Sequence, residues 1–138
     1  MKNVTITIIV IVVAVAILVY FYQSYKPFDD NTDFIVVVSP LKDAEISSPL
    51  TVSGRARGTW FFEGSFPIVI LDAYRNVIAE SHATAQGEWM TEDFVNFVGT
   101  LQFNNYIKGQ KGILVLKKDN PSGLVEYDES IEIPVIFK

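Results

Sequence analysis

Between Leu50 and Asp72 the chain reads Leu-Thr-Val-Ser-Gly-Arg-Ala-Arg-Gly-Thr-Trp-Phe-Phe-Glu-Gly-Ser-Phe-Pro-Ile-Val-Ile-Leu-Asp, and no other stretch restricts the fold as much. Leu50, Val52, Gly54 and Ala56 alternate with Thr51, Ser53, Arg55 and Arg57, the period-two signature of a strand with one buried face. Phe66 to Leu71 is a short, Ile- and Val-rich apolar run with no polar face, which predicts a strand covered on both faces or set in the middle of a packed sheet. Trp60-Phe61-Phe62 lies between them, bracketed by Gly58 and Gly64. Successive strand side chains alternate, so three adjacent rings cannot share a face. Flanking glycines permit an irregular backbone, and the expected result is a folded-over connection that lays rings across the end of a core.

The remaining sequence from Phe34 supplies strands of the same kind. Phe34–Val38, Val77–Ala85, Phe94–Phe103, Gly112–Lys118 and Ile131–Phe137 join the first two to make about seven. Turn-forming residues separate them, most clearly Asn120-Pro121-Ser122-Gly123. No helical stripe interrupts the pattern. The expectation is an all-β, immunoglobulin-like sandwich over residues 34–138. Val95, Phe97, Gly99, Leu101 and Phe103 are assigned to its core, as are Ile131, Ile133, Val135 and Phe137. Pro134 lacks an N–H, so the last strand is expected at a sheet edge, or with that position turned away from its partner.

Residues 1–22 have a different character. Val4 to Tyr22 is 19 residues without a charge, close to the roughly 20 that span a bilayer core as a helix. Tyr20, Tyr22 and Tyr25 fall where an interfacial aromatic belt is expected. Ala14-Val15-Ala16 resembles a signal-peptidase site, yet the apolar run continues beyond it to Tyr22. The segment therefore reads as a single transmembrane anchor contacting the lipid bilayer through residues 4–22. Lys2 on the near side sets an N-in, C-out orientation, with the later domain outside the cell membrane. Residues 23–33 form a polar linker whose full extension is at most ~40 Å.

Several function classes are excluded or disfavoured by what the chain contains. A net charge of -5 with no dense basic cluster argues against nucleic acid. The chain has no cysteine, which removes disulfides, thiolate metal sites and cysteine nucleophiles. His82 is the only histidine, on a strand face with Glu80 and Thr84, and a solvated face is its expected role. Glu88, Glu92 and Asp93, and separately Asp119, Glu126, Asp128 and Glu129, are acidic enough to suggest hydrolysis or calcium, but no cleft or calcium-loop pattern accompanies them. No enzyme activity and no cofactor is expected. Candidate binding residues are Trp60, Phe61, Phe62 and Trp89. Phe61, Phe62 and Trp89 are expected to plug the core end, while Trp60 is left between core and surface.

Ile-Ser-Ser-Pro-Leu-Thr-Val-Ser-Gly-Arg-Ala-Arg (46–57), Trp-Phe-Phe-Glu-Gly-Ser-Phe-Pro-Ile (60–68), Leu-Asp-Ala (71–73), Trp89-Met90, Lys-Lys-Asp-Asn-Pro-Ser-Gly (117–123) and Ile-Glu-Ile-Pro-Val (131–135) occur in that order. Together they resemble the immunoglobulin-like domain family associated with bacterial spore germination. The resemblance implies the fold and a place in the cell envelope. The turn of Asn-Gly type usual after Leu-Asp-Ala is here Tyr74-Arg75-Asn76, so a reshaped hairpin is expected. The germination and wall-binding domains often found beside this module do not occur within the 138 residues, so a germination role does not follow. The expected function is a membrane-anchored interaction module that binds an envelope protein. The alternative is a binder or hydrolase of cell-wall glycan using the aromatic loop.

Overall fold

The computed structural model describes residues 11–19 and 33–138. Residues 11–19 are helical. The rest of the expected anchor, and the expected linker up to residue 32, lie outside the described residues. Among the described residues no helix is long and apolar enough to cross a membrane.

Eight strands make up the domain: β1 Ile35–Ser39, β2 Ala44–Ile46, β3 Leu50–Arg57, β4 Ser65–Asp72, β5 Val77–Ala85, β6 Phe94–Leu101, β7 Lys111–Lys117 and β8 Ser130–Phe137. The strand not expected from sequence is β2. Its three residues are too few to display a period, and it owes its existence to a parallel pairing with β8. Where two separate sheets were expected, the strands form one hydrogen-bonded sheet in the order β1-β3-β6-β5-β4-β7-β8-β2. The sheet curls upon itself. Its two halves are joined where Ala83, Thr84 and Ala85 of β5 meet Gly99, Val98 and Phe97 of β6, whereas β3 and β6 pair along the whole of Leu50–Arg57.

The curl places alternate residues of every strand inside one core. Val52 and Ala56 of β3, Ile68 and Ile70 of β4, and Leu114 and Leu116 of β7 meet there and are almost fully buried. The apolar run of β4 is covered on both sides as its composition predicts. Val69 and Leu71 face outward and form a second, smaller buried cluster with Val115. The last strand is not an edge, because β2 lies against it. Asp43 N–H donates to the Pro134 carbonyl at 2.7 Å, so the backbone of Pro134 faces the β2 side and its missing N–H leaves the β7 ladder intact.

Candidate functional site

The register gathers three loops at one end of the sheet. Arg57 pairs with Phe94, Ser65 with Thr84, and Lys117 with Ser130, so the β3–β4, β5–β6 and β7–β8 connections emerge together. Backbone bonds tie them to one another: Gly58 to Asp93 at 3.1 Å, Ala85 to Gly64 at 2.8 Å and Asp119 to Trp60 at 3.1 Å. The chain enters the domain at this same end. Arg57 N–H donates to the Phe34 carbonyl at 2.7 Å, and its Nε to the Asp33 carbonyl at 3.1 Å.

The four candidate aromatics separate into two groups. Trp60 ends the short 3-10 turn Gly58–Trp60 and is 1% exposed, edge-on to Phe66 at 6.3 Å. Phe61 is also buried and tilts against Phe66 at 5.3 Å, and Phe66 meets Phe97 edge-on at 5.0 Å. These two rings close the core, and neither offers a face to a ligand. Phe62, expected in the core, is instead 43% exposed. The reversal has a local cause. Phe62 and Ser65 exchange backbone hydrogen bonds of 3.0 and 3.1 Å around Glu63 and Gly64, whose φ angles are 51° and 78°. That is the left-handed pair of a tight hairpin turn, and it turns the Phe62 ring outward as β4 begins. Trp89 is half-buried, packed on the core edge with its indole beside Gly64.

The largest apolar exposure at this end belongs to residues that the strand pattern did not single out. Leu124, Val125 and Tyr127 in the β7–β8 loop are 51%, 81% and 56% exposed. The loop is nevertheless well tied. Asn120 Nδ2 donates to the Leu124 carbonyl at 2.8 Å and to Asp128 Oδ1 at 2.7 Å. Lys118 N–H donates to the Glu129 carbonyl at 2.8 Å, and its Nζ pairs with Glu129 Oε1 at 2.6 Å. The loop thus pairs polar side chains with one another and with its own backbone, and leaves its apolar ones in solvent. The available signal was Leu124-Val125 and Tyr127 standing between a turn and a strand, in a place where no strand was needed.

Three of the acidic residues have structural employment too. Glu88 Oε1 accepts from Met90 N–H at 3.0 Å, and Asp128 and Glu129 hold the β7–β8 loop. His82 stands on the outer face opposite Pro67. Among the described residues no three metal-ligating side chains gather. Arg55 and Arg57 both lie over the Phe94 ring, at 5.0 and 4.1 Å from its centroid, which keeps those two cations on the sheet surface.

An all-β sheet curled around one core, with loops converging on an aromatic end, defines an immunoglobulin-like domain. The chain belongs to the family described as the immunoglobulin-like domain of bacterial spore germination, whose pattern matches residues 34–124. The match ends within the β7–β8 loop, and β8 completes the sheet beyond it. No curated protein and no solved structure matches the chain.

Proposed function

We propose that this protein is a non-enzymatic, membrane-anchored module that holds its immunoglobulin-like domain outside the cell membrane and binds another envelope protein. In this reading the curled sheet works as a sandwich, with β1-β3-β6 facing the other five strands. The binding surface is the loop end that carries Phe62, Trp89, Met90, Leu124, Val125 and Tyr127. Trp60 and Phe61 shape this surface from beneath without contacting the partner.

The β7–β8 loop is the observation that carries the proposal. Its apolar side chains stay in water although its backbone is held by Asn120, Lys118 and Glu129. A surface already ordered loses little further entropy on association, so its apolar contact goes largely into affinity. Exposed apolar residues gathered in this way mark interaction sites. The chain enters beside this surface through Asp33 and Phe34. With residues 4–22 in the bilayer and a linker of at most ~40 Å, a partner that is itself anchored in the membrane lies within reach.

Two measurements test the reading. Protease added to intact spheroplasts should digest residues 34–138, and protection of the domain while a known outer protein is cleaved would refute the topology. A photo-crosslinker at Val125 should give one discrete membrane-protein adduct, which Leu124→Asp abolishes without changing the melting temperature.

A further inference from the structure

The opposite end of the sheet holds a groove of about 440 Å³, formed by the β4–β5 turn and the segment between β6 and β7. One wall is rigid. The Tyr106 ring stacks on Phe137 at 5.1 Å and meets Phe103 edge-on at 5.3 Å. The other wall is Tyr74, 80% exposed on a turn whose backbone is closely held. Asp72 Oδ1 accepts from the N–H groups of Tyr74 and Asn76, each at 2.8 Å, and Oδ2 accepts from Asn76 Nδ2 at 2.9 Å.

Asn104, Asn105, Ile107 and Gln110 line the same groove. Their backbone is partly fixed, with Gln110 N–H donating to Ile107 at 3.1 Å and its carbonyl accepting from Phe137 at 3.0 Å. Among the described residues, the side-chain amides of Asn104, Asn105 and Gln110 make no hydrogen bond to protein. Each amide offers both donors and an acceptor. Two tyrosine faces with three uncommitted amides suit a pyranose ring, whose C–H face packs on an aromatic while its hydroxyls alternately donate and accept. Other ligand classes fit less well. A phosphate-bearing strand would meet the Asp72 carboxylate, whose pKa is held below the usual range chiefly by the Asn76 side chain. A ligand without polar groups, such as an acyl chain, would bury the amides unpaired, which is unfavourable.

We infer that this groove binds a saccharide chain between Tyr74 and Tyr106, with Asn104, Asn105 and Gln110 pairing its hydroxyls. The groove lies at the end remote from Asp33. Its placement on the wall-facing side rests on the proposed anchoring, but the binding itself does not.

The test uses the purified full chain in detergent, titrated with chitotetraose and, separately, with peptide-free glycan strands from cell wall, followed by calorimetry. The expected result is saturable binding that Tyr74→Ala and Asn105→Ala each weaken by about tenfold or more, with melting unchanged. His82→Ala, on the exposed outer face of β5, should bind as the parent does. Binding of the strands identifies wall glycan as the source, and binding of the tetraose alone identifies a short free saccharide. No saturable binding of either by the folded chain overturns the inference, as does binding that survives both groove variants. Because neither membrane topology nor a protein partner enters this measurement, its failure leaves the proposed function standing.

Discussion

The Arg75 guanidinium grips the Glu132 carboxylate across the outside of the sheet, with Nη2 to Oε1 at 2.6 Å and Nη1 to Oε2 at 3.2 Å. Arg75 stands in the turn after β4 and Glu132 on β8, with β7 between those strands. The pair therefore spans the outer face on which Val69, Leu71 and Val115 are buried. Arg75 has a φ of 67°, the left-handed position that an Asn-Gly turn would fill with less strain. From this turn the long Arg75 side chain reaches across β7 to β8 and ties three strands together.

This ion pair makes the domain sensitive to acid. The hydrogen bond from Arg75 holds the Glu132 carboxyl below its ordinary pKa, and the Asn76 side chain does the same for Asp72. A carboxylate whose folded pKa is depressed contributes stability above its unfolded pKa and loses it as pH falls through the folded one. The urea midpoint should accordingly drop as the pH falls below the ordinary carboxylate range of roughly 4. Glu132→Gln should show a smaller drop over that range. Both side chains of the pair are substantially exposed, so the difference should be modest and should shrink in high salt. Identical pH profiles for the two proteins would show that the pair does not act in solution.

Trp60 and Phe62 should respond oppositely to truncation. Trp60 is 1% exposed and lies edge-on to Phe66, so Trp60→Ala should lower stability by ~3–5 kcal/mol. Phe62 is 43% exposed, and Phe62→Ala should change stability by no more than about 0.5–1 kcal/mol while weakening partner binding. Urea denaturation of the two variants checks the assignment. A strongly destabilising Phe62→Ala with a near-neutral Trp60→Ala would mean that the wrong ring has been placed in the core.

How these rings sort shows what a sequence can convey. Period-two alternation located Leu50–Arg57 and Val77–Ala85 at their observed bounds, because burial on one face of a strand imposes that period directly. The direction of an individual ring in Trp60-Phe61-Phe62 depends instead on backbone turns. A 3-10 turn at Gly58–Trp60 and left-handed Glu63-Gly64 decide it, and neither has a period to read. Strand β2 escaped notice for a related reason, being defined by its partner β8 rather than by its own three residues. The apolar β7–β8 loop escaped because exposure is a tertiary property. Leu124 and Val125 have the composition of a strand and the surroundings of a surface.

Asn120 is the residue on which the order of that loop depends most. Its amide bonds both the Leu124 carbonyl and Asp128. Asn120→Ala removes these two bonds and the one that Asn120 Oδ1 accepts from Ser122 Oγ, all at an exposed site, so the stability loss should be only ~1 kcal/mol. Partner affinity should fall by more than that loss explains, since Leu124, Val125 and Tyr127 would then have to be ordered on binding. Hydrogen exchange at residues 121–128 should rise in the same variant. Unchanged exchange together with unchanged affinity would separate the loop from the binding surface.

Gly58 links the core to this surface, and its replacement tests whether the two are coupled. It is buried beneath the β5–β6 loop, where its N–H donates to the Asp93 carbonyl at 3.1 Å. A Cβ built there would lie 1.8 Å from the Thr91 carbonyl oxygen and 2.3 Å from that of Trp89. Both obstacles are backbone, so no side-chain rotation relieves them and the β5–β6 loop must move. Gly58→Ala should therefore cost ~1–3 kcal/mol, the usual range for overpacking. The displaced segment carries Trp89 and Met90, so the half-buried indole should become more exposed and its emission shift to the red. To isolate that signal the measurement is best made in a Trp60→Phe background, which keeps an aromatic ring against Phe66. A red shift with weakened partner binding at a temperature where the variant remains folded is the expected outcome. Destabilisation without any change at Trp89 would mean that the strain is absorbed in the Gly58–Trp60 turn, leaving the loop surface independent of the core beneath it.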